Sequence, residues 1–396
     1  MKKVAIVGGG ASGLLCAIVC AQKNCDVTIF EQNTKVAKKI LVSGNGRCNI
    51  SNTNLSEQNY FSEDSGFVRY ALEQFGFHAF EKFCKEIGLL LYTLEDGRTY
   101  PKSDEAKSVA LLFEQKALSL GVKIKTEHPI KTITPLFDSF DAVVVASGSR
   151  AAEHLGGNDA AECFAKEVGH TIITPYPSLV QLHLNSKVPS KMAGAKTQAT
   201  ITLKINGIKE QTHKGDILFS TYGISGFGIL DISQAASKAL SEFMAVDIVL
   251  DLLEEFSTQQ LAQHFQNTAQ KNPSLNLFAL TQSLIPQKIA NGVLEIAKLD
   301  PKQNAATLGT KGFKHLANTL KNLTFEVSDT HGFRHAEVSG GGISTNEIDS
   351  KTMMSKKRKN LYFTGEALDV VGQRGGYNFA WAWASGYVAA HSIIKR

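Results

Sequence analysis

A strand, a glycine turn, a helix and a second strand closed by an acid follow one another between Met1 and Glu31. This order constrains the fold more than any other feature of the chain. Lys3-Val4-Ala5-Ile6-Val7 runs into Gly8-Gly9-Gly10-Ala11-Ser12-Gly13, a helical pattern continues to about Lys23, and Asp26-Val27-Thr28-Ile29-Phe30 ends on Glu31. A G-x-G-x-x-G turn in that context is a dinucleotide-binding unit. Gly8 permits the tight turn, Gly10 lets backbone approach a pyrophosphate, and Gly13 lets the helix lie close on the strand. With Ala11 and Ser12 these glycines open a helix whose free amides and positive dipole end suit a diphosphate. Glu31 is placed for the ribose hydroxyls, with Gln32 beside it.

Two lysines before an apolar run imitate a secretory signal, but the glycines interrupt the run and no small-residue cleavage site follows. No later stretch reaches the roughly 18 uninterrupted apolar residues of a membrane span. The expectation is a cytoplasmic protein without a membrane partner. The balance of 42 basic against 37 acidic residues, net +5, is too mild to announce nucleic-acid binding. The one dense basic run, Lys356-Lys357-Arg358-Lys359, reads as a solvated turn before a strand. Six cysteines occur without a C-x-x-C pair, and Cys16 and Cys20 share a helix face, as reduced buried thiols do. Nothing specifies an oligomeric state.

Further along, Ser43-Gly44-Asn45-Gly46-Arg47-Cys48-Asn49 reads as a ligand-contacting loop. Helical patterns follow at about 66–87 and 104–119. Phe140 to Ala146-Ser147-Gly148 reads as a buried parallel strand that delivers Gly148 to the carboxyl edge of the sheet. The texture changes near Lys187. Thr200 to Ile205 alternates, turns at Asn206-Gly207 and returns, a hairpin signal. From Ser257 to Asn322 the pattern is helical, with Ser257 and Asp300 as caps and Pro286 and Pro301 in first turns. The expected organisation is a first domain part at 1–186, an insert at 187–330 (strand-rich 187–256, helical 257–322), and a second domain part at 331–396.

The returning segment carries a second constellation. Asn360 to Phe363 is a short buried strand that ends in Thr364-Gly365-Glu366, followed by Asp369, Gly375-Gly376, Tyr377-Asn378-Phe379 and a helix. A strand ending in glycine plus acid resembles the second FAD signature of glutathione-reductase-like flavoproteins, where the acid holds a ribityl hydroxyl. That resemblance favours Glu366 over Asp369. The helix start at Gly375-Gly376 would aim its dipole at the pyrophosphate and the flavin pyrimidine edge. A single FAD needs both signatures, whereas NAD uses only the first.

These strings, together with Lys39 to Asn49, Leu218 to Gly226 and Ala336 to Ile343, resemble one family over nearly the whole chain: the bacterial aminoacetone-oxidase-like flavoproteins, also described as NAD(P)/FAD-dependent oxidoreductases. The resemblance implies an α/β, glutathione-reductase-like FAD-binding Rossmann-type domain interrupted by a mixed β-rich and helical insert. The family usually has Thr where Ser339 stands and Glu where Met354 stands. Candidate FAD contacts are Gly8, Gly10, Ala11, Ser12, Gly13, Glu31, Gln32, Lys39, Gly44, Gly46, Arg47, Cys48, Asn49, Ala146, Ser147, Gly148, Gly365, Glu366, Asp369, Gly375, Gly376, Tyr377, Asn378 and Phe379.

The implied function is an FAD-dependent oxidoreductase that moves hydride at flavin N5 to or from a small organic substrate. No second complete nucleotide unit follows the first, so NAD(P)H would serve as a transient reductant. An oxygen-using amine-oxidase-like enzyme is an alternative, as are a flavin-dependent RNA-modifying protein and a non-catalytic FAD redox sensor. Cys48 alone does not make a disulfide reductase. His331 and His335 lie in glycine-rich, strand-like texture rather than on a helix, so a metal site is not expected. The substrate pocket is expected over the flavin where insert and FAD domain join, at glycine-rich turns 223–226 and 340–342. Ser339, His335 and Tyr222 are its candidate polar contacts, and His335 is the candidate proton-transfer residue.

Overall fold

Lys3–Val7, buried except at its first residue, is the middle strand of a five-stranded parallel sheet. The structure, a computed structural model, describes residues 1–395. The strand order is Leu361–Phe363, Ala142–Val145, Lys3–Val7, Asp26–Phe30 and Lys123–Lys125, every neighbouring pair parallel. Short runs rich in Val and Ile form these strands because both faces of a parallel sheet are covered. Helix Ala11–Ala21 crosses between the first two, and the final helix Tyr377–Lys395 packs against it. The approach is close: a Cβ on Gly386 would run into the Ser12 carbonyl. This sheet belongs to one unit, Met1–Tyr176 with the chain from Glu337 onward.

Within that unit Gly76 separates helix Arg69–Gln74 from Phe77–Glu86, and Ala106–Ser119 follows. Trp381 and Trp383 are enclosed, their indole N–H groups donating to the Gly365 and Ile50 carbonyls at 3.0 and 2.9 Å. Cys16 and Cys20 are buried free thiols, and Lys356–Lys359 is an exposed turn before strand Leu361–Phe363.

The second unit, Pro177–Ala336, is built on a closed barrel. Its strand order is Leu182–Leu184, Gly223–Ser225, Ile208–Phe219, Lys196–Ile205, Val246–Asp251 and Leu323–Thr330. Alternate residues Ala199, Ile201 and Leu203 point inward with Val246, Ile248 and Leu250, the period of two that a half-buried strand requires. Asn206 and Gly207 make the hairpin turn, both at positive φ. Helix Phe227–Ser241 interrupts the strand-rich part, and Thr258–Lys271, Leu277–Gln282, Gln287–Ile296 and Gly309–Lys321 form the helical part.

Several boundaries differ from the sequence-based expectations. The unit is wider at both ends than 187–330, because Leu182–Leu184 closes the barrel against Gly223–Ser225 and Leu323–Thr330. Ser257 caps its helix with a full capping box, whereas Asp300 closes a turn through the Lys302 and Gln303 amides and starts no helix. Pro286 occupies the cap position itself. Gly340, Gly341 and Gly342 do not form a turn but lie in strand Val338–Ile343. A Cβ on Gly340 would enter the Tyr176 ring, so the glycine serves close backbone approach rather than reversal. Gly223 is likewise a strand residue, pressed on the Leu182 carbonyl.

His170 is a buried titratable group within a hydrogen-bonded cluster. Its Nδ1 lies 3.1 Å from Glu347 Oε2, its Nε2 2.7 Å from Ser355 Oγ, and its ring meets Phe363 edge-on. Burial lowers its pKa below 6.5, an effect that outweighs the raising influence of Glu347. Burial acts the other way on Glu347, but Lys357 and two bonds from Thr171 bring its carboxyl down to about 2. Both folded-state values lie below their unfolded values, so both contributions are present at neutral pH and are lost on acidification. The His170 contribution falls away as pH drops below 6.5, and that of Glu347 as pH drops from 4.5 toward 2. The melting temperature should therefore decline between pH 7.5 and 5.5, and this decline should shrink in His170→Gln. Equal slopes in the two proteins would remove His170 from the account.

Candidate functional site

Gly8 turns the chain at φ +107° over the end of strand Ala142–Val145, where a Cβ would meet the Ala146 carbonyl and the Ser147 backbone. Gly13 presses on the Gly8 carbonyl, which seats the helix on the strand. Around Gly10 there is open space, and this residue caps helix Ala11–Ala21 without any side-chain bond. The helix also has no acid in its first turn, so its amide end is free for an anion.

Glu31 lies at the carboxyl end of the second strand, 6 % exposed. Its Oε2 accepts the Gly9 N–H at 2.9 Å, and its Oε1 accepts from the Asn33 backbone and side chain at 2.8 and 2.7 Å. Carboxylate oxygens have further lone pairs for ligand hydroxyls. Gln32 reaches instead to the chain that follows strand Ala142–Val145, donating to the Gly156 carbonyl and accepting from Asn158. Ser147, beside the Gly8 turn, has a buried hydroxyl without a partner, and Gly148 at φ +77° faces open space. An uncapped helix end, open room at two glycines, an orphaned hydroxyl and a carboxylate form one arrangement, and it fits a dinucleotide.

The second constellation is tied to the segment after the second strand by ion pairing. Glu366 Oε2 accepts Lys39 Nζ at 2.7 Å, while its Oε1 accepts the Ser149 hydroxyl at 2.7 Å and the Ser339 N–H at 2.8 Å. Asp369, nearly enclosed, accepts the Glu63 N–H at 2.9 Å. Asn378 closes the turn before the last helix, its amide bonding both the N–H and the carbonyl of Gly372 at 2.8 Å. Gly375 accepts from Asn52, and a Cβ on Gly376 would strike the Ser51 carbonyl. Tyr377 packs edge-on against Tyr60, and Phe379 stacks on Trp383.

The loop after the second strand is wound through left-handed conformations at Gly44, Asn45, Gly46 and Cys48. Arg47 is exposed and held by Asp104 at 3.0 Å and the Tyr92 hydroxyl at 2.7 Å, over the Tyr100 ring. With its amide oriented to satisfy its neighbours, Asn49 donates to the Ser51 and Thr99 carbonyls and accepts the Gly376 N–H. It therefore joins this loop to the start of the last helix. Burial pushes the Cys48 thiol up to about 12, which suppresses thiolate chemistry at neutral pH.

In the barrel unit the structure assembles four side chains that the sequence scatters. His183 Nε2 lies 2.8 Å from His331 Nδ1. The Tyr222 ring stacks on His331 at 4.1 Å and 9°, and the exposed His335 ring lies 4.1 Å from the same imidazole. Sequence reasoning named His335 and Tyr222 but missed His183, because only the pairing of Leu182 with Thr330 brings these distant segments together. Ser149, which binds Glu366, was missed because no motif marks it. Among the described residues no group of three or more His, Cys, Asp or Glu is arranged to hold a metal ion, and no helix is long and apolar enough to cross a membrane.

Residues 2–392 match the family of HI0933-like protein Rossmann domains. A 3-dehydro-bile acid delta(4,6)-reductase of Clostridium scindens is 32% identical over 409 aligned positions that cover 100% of both chains. A ribosomal RNA dihydrouridine synthase of Haemophilus influenzae is 28% identical, covering 99% of this chain and 98% of its own. Among solved structures, the 3-ketosteroid delta1-dehydrogenase of Sterolibacterium denitrificans aligns over 100% of both chains with a TM-score of 0.51 at 12% identity, a likeness of fold. The fold is a Rossmann-type FAD-binding α/β domain with a β-rich insert.

Proposed function

Because the chain belongs to the HI0933-like Rossmann-domain family, we propose that this FAD-dependent oxidoreductase is a reductase of carbon–carbon double bonds conjugated to a carbonyl, with NAD(P)H as its reductant. The observation that carries the reading is the end-to-end match to the bile acid delta(4,6)-reductase. Dihydrouridine synthesis, named for the second relative, is the same chemical class, addition of two hydrogens across a double bond next to a carbonyl. FAD, when bound, supplies hydride transfer at its N5.

The protein's part is to hold and orient. Glu31 binds the adenosine ribose, and the open helix end at Gly10 to Gly13 takes the diphosphate. Glu366, positioned by Lys39 and Ser149, meets the ribityl chain, and the dipole of helix Tyr377–Lys395 stabilises negative charge at the pyrimidine edge. The single glycine-turn unit leaves NAD(P)H to dock only during flavin reduction. A small conjugated ketone or acid is the favoured acceptor, since the charge balance is mild. The aminoacetone-oxidase-like label and the RNA reading predict other second substrates and are separated by the same experiment.

Purified protein should be yellow and release FAD on acid treatment. In anaerobic stopped flow NADH or NADPH should bleach the flavin, and a 3-oxo-4-ene steroid should restore its colour faster than dissolved oxygen does. Bleaching by aminoacetone with fast oxygen reoxidation would overturn the reductase reading. Reoxidation by ribosomal RNA alone would move the substrate class to uridine.

A further inference from the structure

We propose that Lys39 is a positioning residue that sets the reduction potential of the flavin through Glu366. Its ammonium balances the carboxylate, so that the acid can hold the ribityl chain without opposing the arrival of electrons. The inference rests on the FAD reading of Glu366 and on no choice of substrate or reductant.

Strand order within the FAD-domain unit decides which half of the cofactor Glu366 meets. Leu361–Phe363, Ala142–Val145, Lys3–Val7 and Asp26–Phe30 lie side by side in parallel, with their carboxyl ends together. The glycine turn follows the third of these strands, Glu31 the fourth, and Gly365-Glu366 the first. Neighbouring strands are about 4.8 Å apart, so Glu31 and Glu366 flank the turn on opposite sides, about one and two strand spacings away. A dinucleotide with its diphosphate on the turn reaches Glu31 with its adenosine half and Glu366 with its flavin half. The strand end that carries Glu366 also approaches the diphosphate helix, since a Cβ on Gly365 would stand 2.9 Å from Ser12 Oγ.

Three donors converge on the Glu366 carboxylate, and one of them is charged. The Ser149 hydroxyl and the Ser339 N–H bond Oε1 at 2.7 and 2.8 Å, and Lys39 Nζ bonds Oε2 at 2.7 Å. A carboxylate has about four lone-pair positions, so Oε2 keeps one for a ligand hydroxyl. The Lys39 and Glu366 side chains are 35% and 17% exposed, and water screens their charges only in part. The preceding Lys38 turns elsewhere, to Asn33 Oδ1 at 2.8 Å. Addition of a hydride brings two electrons and one proton to FAD and yields the anion FADH⁻, one negative charge more. An unbalanced carboxylate beside the flavin disfavours that anion, and the Lys39 ammonium offsets the cost.

The test compares the wild-type holoenzyme with Lys39→Met, Lys39→Arg, Glu366→Gln and the double variant Lys39→Met/Glu366→Gln. It is run at pH 8, well above the ordinary carboxylate range. Two equilibrium readouts need no turnover: the flavin midpoint potential against a reference dye, and the dissociation constant of sulfite, which adds to flavin N5 as an anion. Lys39→Met should weaken sulfite binding about tenfold and lower the potential by the corresponding ~30 mV for two electrons. Glu366→Gln should shift both readouts by a similar factor in the opposite direction, because it leaves the ammonium unbalanced. The double variant should return close to wild type, and Lys39→Arg, which keeps the charge, should stay there. A purely structural role for Lys39 would change flavin affinity without this reversal of sign. If Lys39→Met does not retain FAD, Glu366→Gln and Lys39→Arg decide the matter alone. Unchanged potential and sulfite affinity in Glu366→Gln, or shifts of the same sign in the two single variants, would overturn the proposal. Wild-type protein that carries FMN or no flavin would instead overturn the FAD reading on which it rests.

Discussion

Trp383→Ala should lower the unfolding free energy of the FAD-domain unit by about 3–5 kcal/mol, the range for truncating a large buried aromatic. The indole is fully enclosed and stacks on Phe113 at 4.9 Å, Phe80 at 5.4 Å and Phe379 at 5.9 Å. Its Nε1–H also donates to the Ile50 carbonyl at 2.9 Å, and leaving a buried acceptor unpaired costs a further ~1–3 kcal/mol where water cannot replace the donor. Trp383→Phe keeps most of the stacking and loses only the bond, so it should fall between wild type and alanine. Urea unfolding followed by circular dichroism measures both, fitted without assuming that a two-unit chain unfolds in one step. A change of less than about 1 kcal/mol in Trp383→Ala would mean that this stack is not the core it looks to be.

Glu31→Ala should weaken FAD binding by about 1–3 kcal/mol, roughly five- to 150-fold, through loss of charge-assisted bonds to the ribose. The carboxylate also holds the Gly9 and Asn33 amides, so its removal loosens the turn that receives the diphosphate. Glu31→Gln keeps an acceptor oxygen and should lie between the two. Quenching of flavin fluorescence on titrating apoprotein reads the affinity. Parallel titration with FMN makes the test specific, because FMN lacks the adenosine half and its affinity should respond to position 31 only through the loosened turn, and so less than that of FAD. Equal losses for FAD and FMN would show that Glu31 acts on the fold of the turn and not on the ribose.

The parts legible in the sequence are those governed by local backbone chemistry. The unit from Lys3 to Glu31 is readable because a turn at Gly8 demands positive φ, because Gly13 leaves room for a carbonyl, and because buried parallel strands are unbroken apolar runs. The Asn206-Gly207 hairpin and the Ser257 cap were legible for the same reason, as each is decided within a few residues.

Tertiary structure alone decided what depends on partners far along the chain. Barrel closure through Leu182–Leu184, and with it the placing of His183 against His331, follows from strand pairing that no short-range pattern records. Arg47 and Asn49 stand side by side in one loop, yet Asp104 and Tyr92 draw the first outward while Ser51, Thr99 and Gly376 take up the second. Glu366 and Asp369 are three positions apart and chemically alike, but Glu366 is paired with Lys39 while Asp369 accepts the Glu63 N–H. Residue type and spacing determine which conformations and hydrogen bonds a segment is able to make. Which of them it makes depends on the donors, acceptors and apolar surfaces that folding brings from elsewhere, since a buried polar group must take whatever partner the packing supplies.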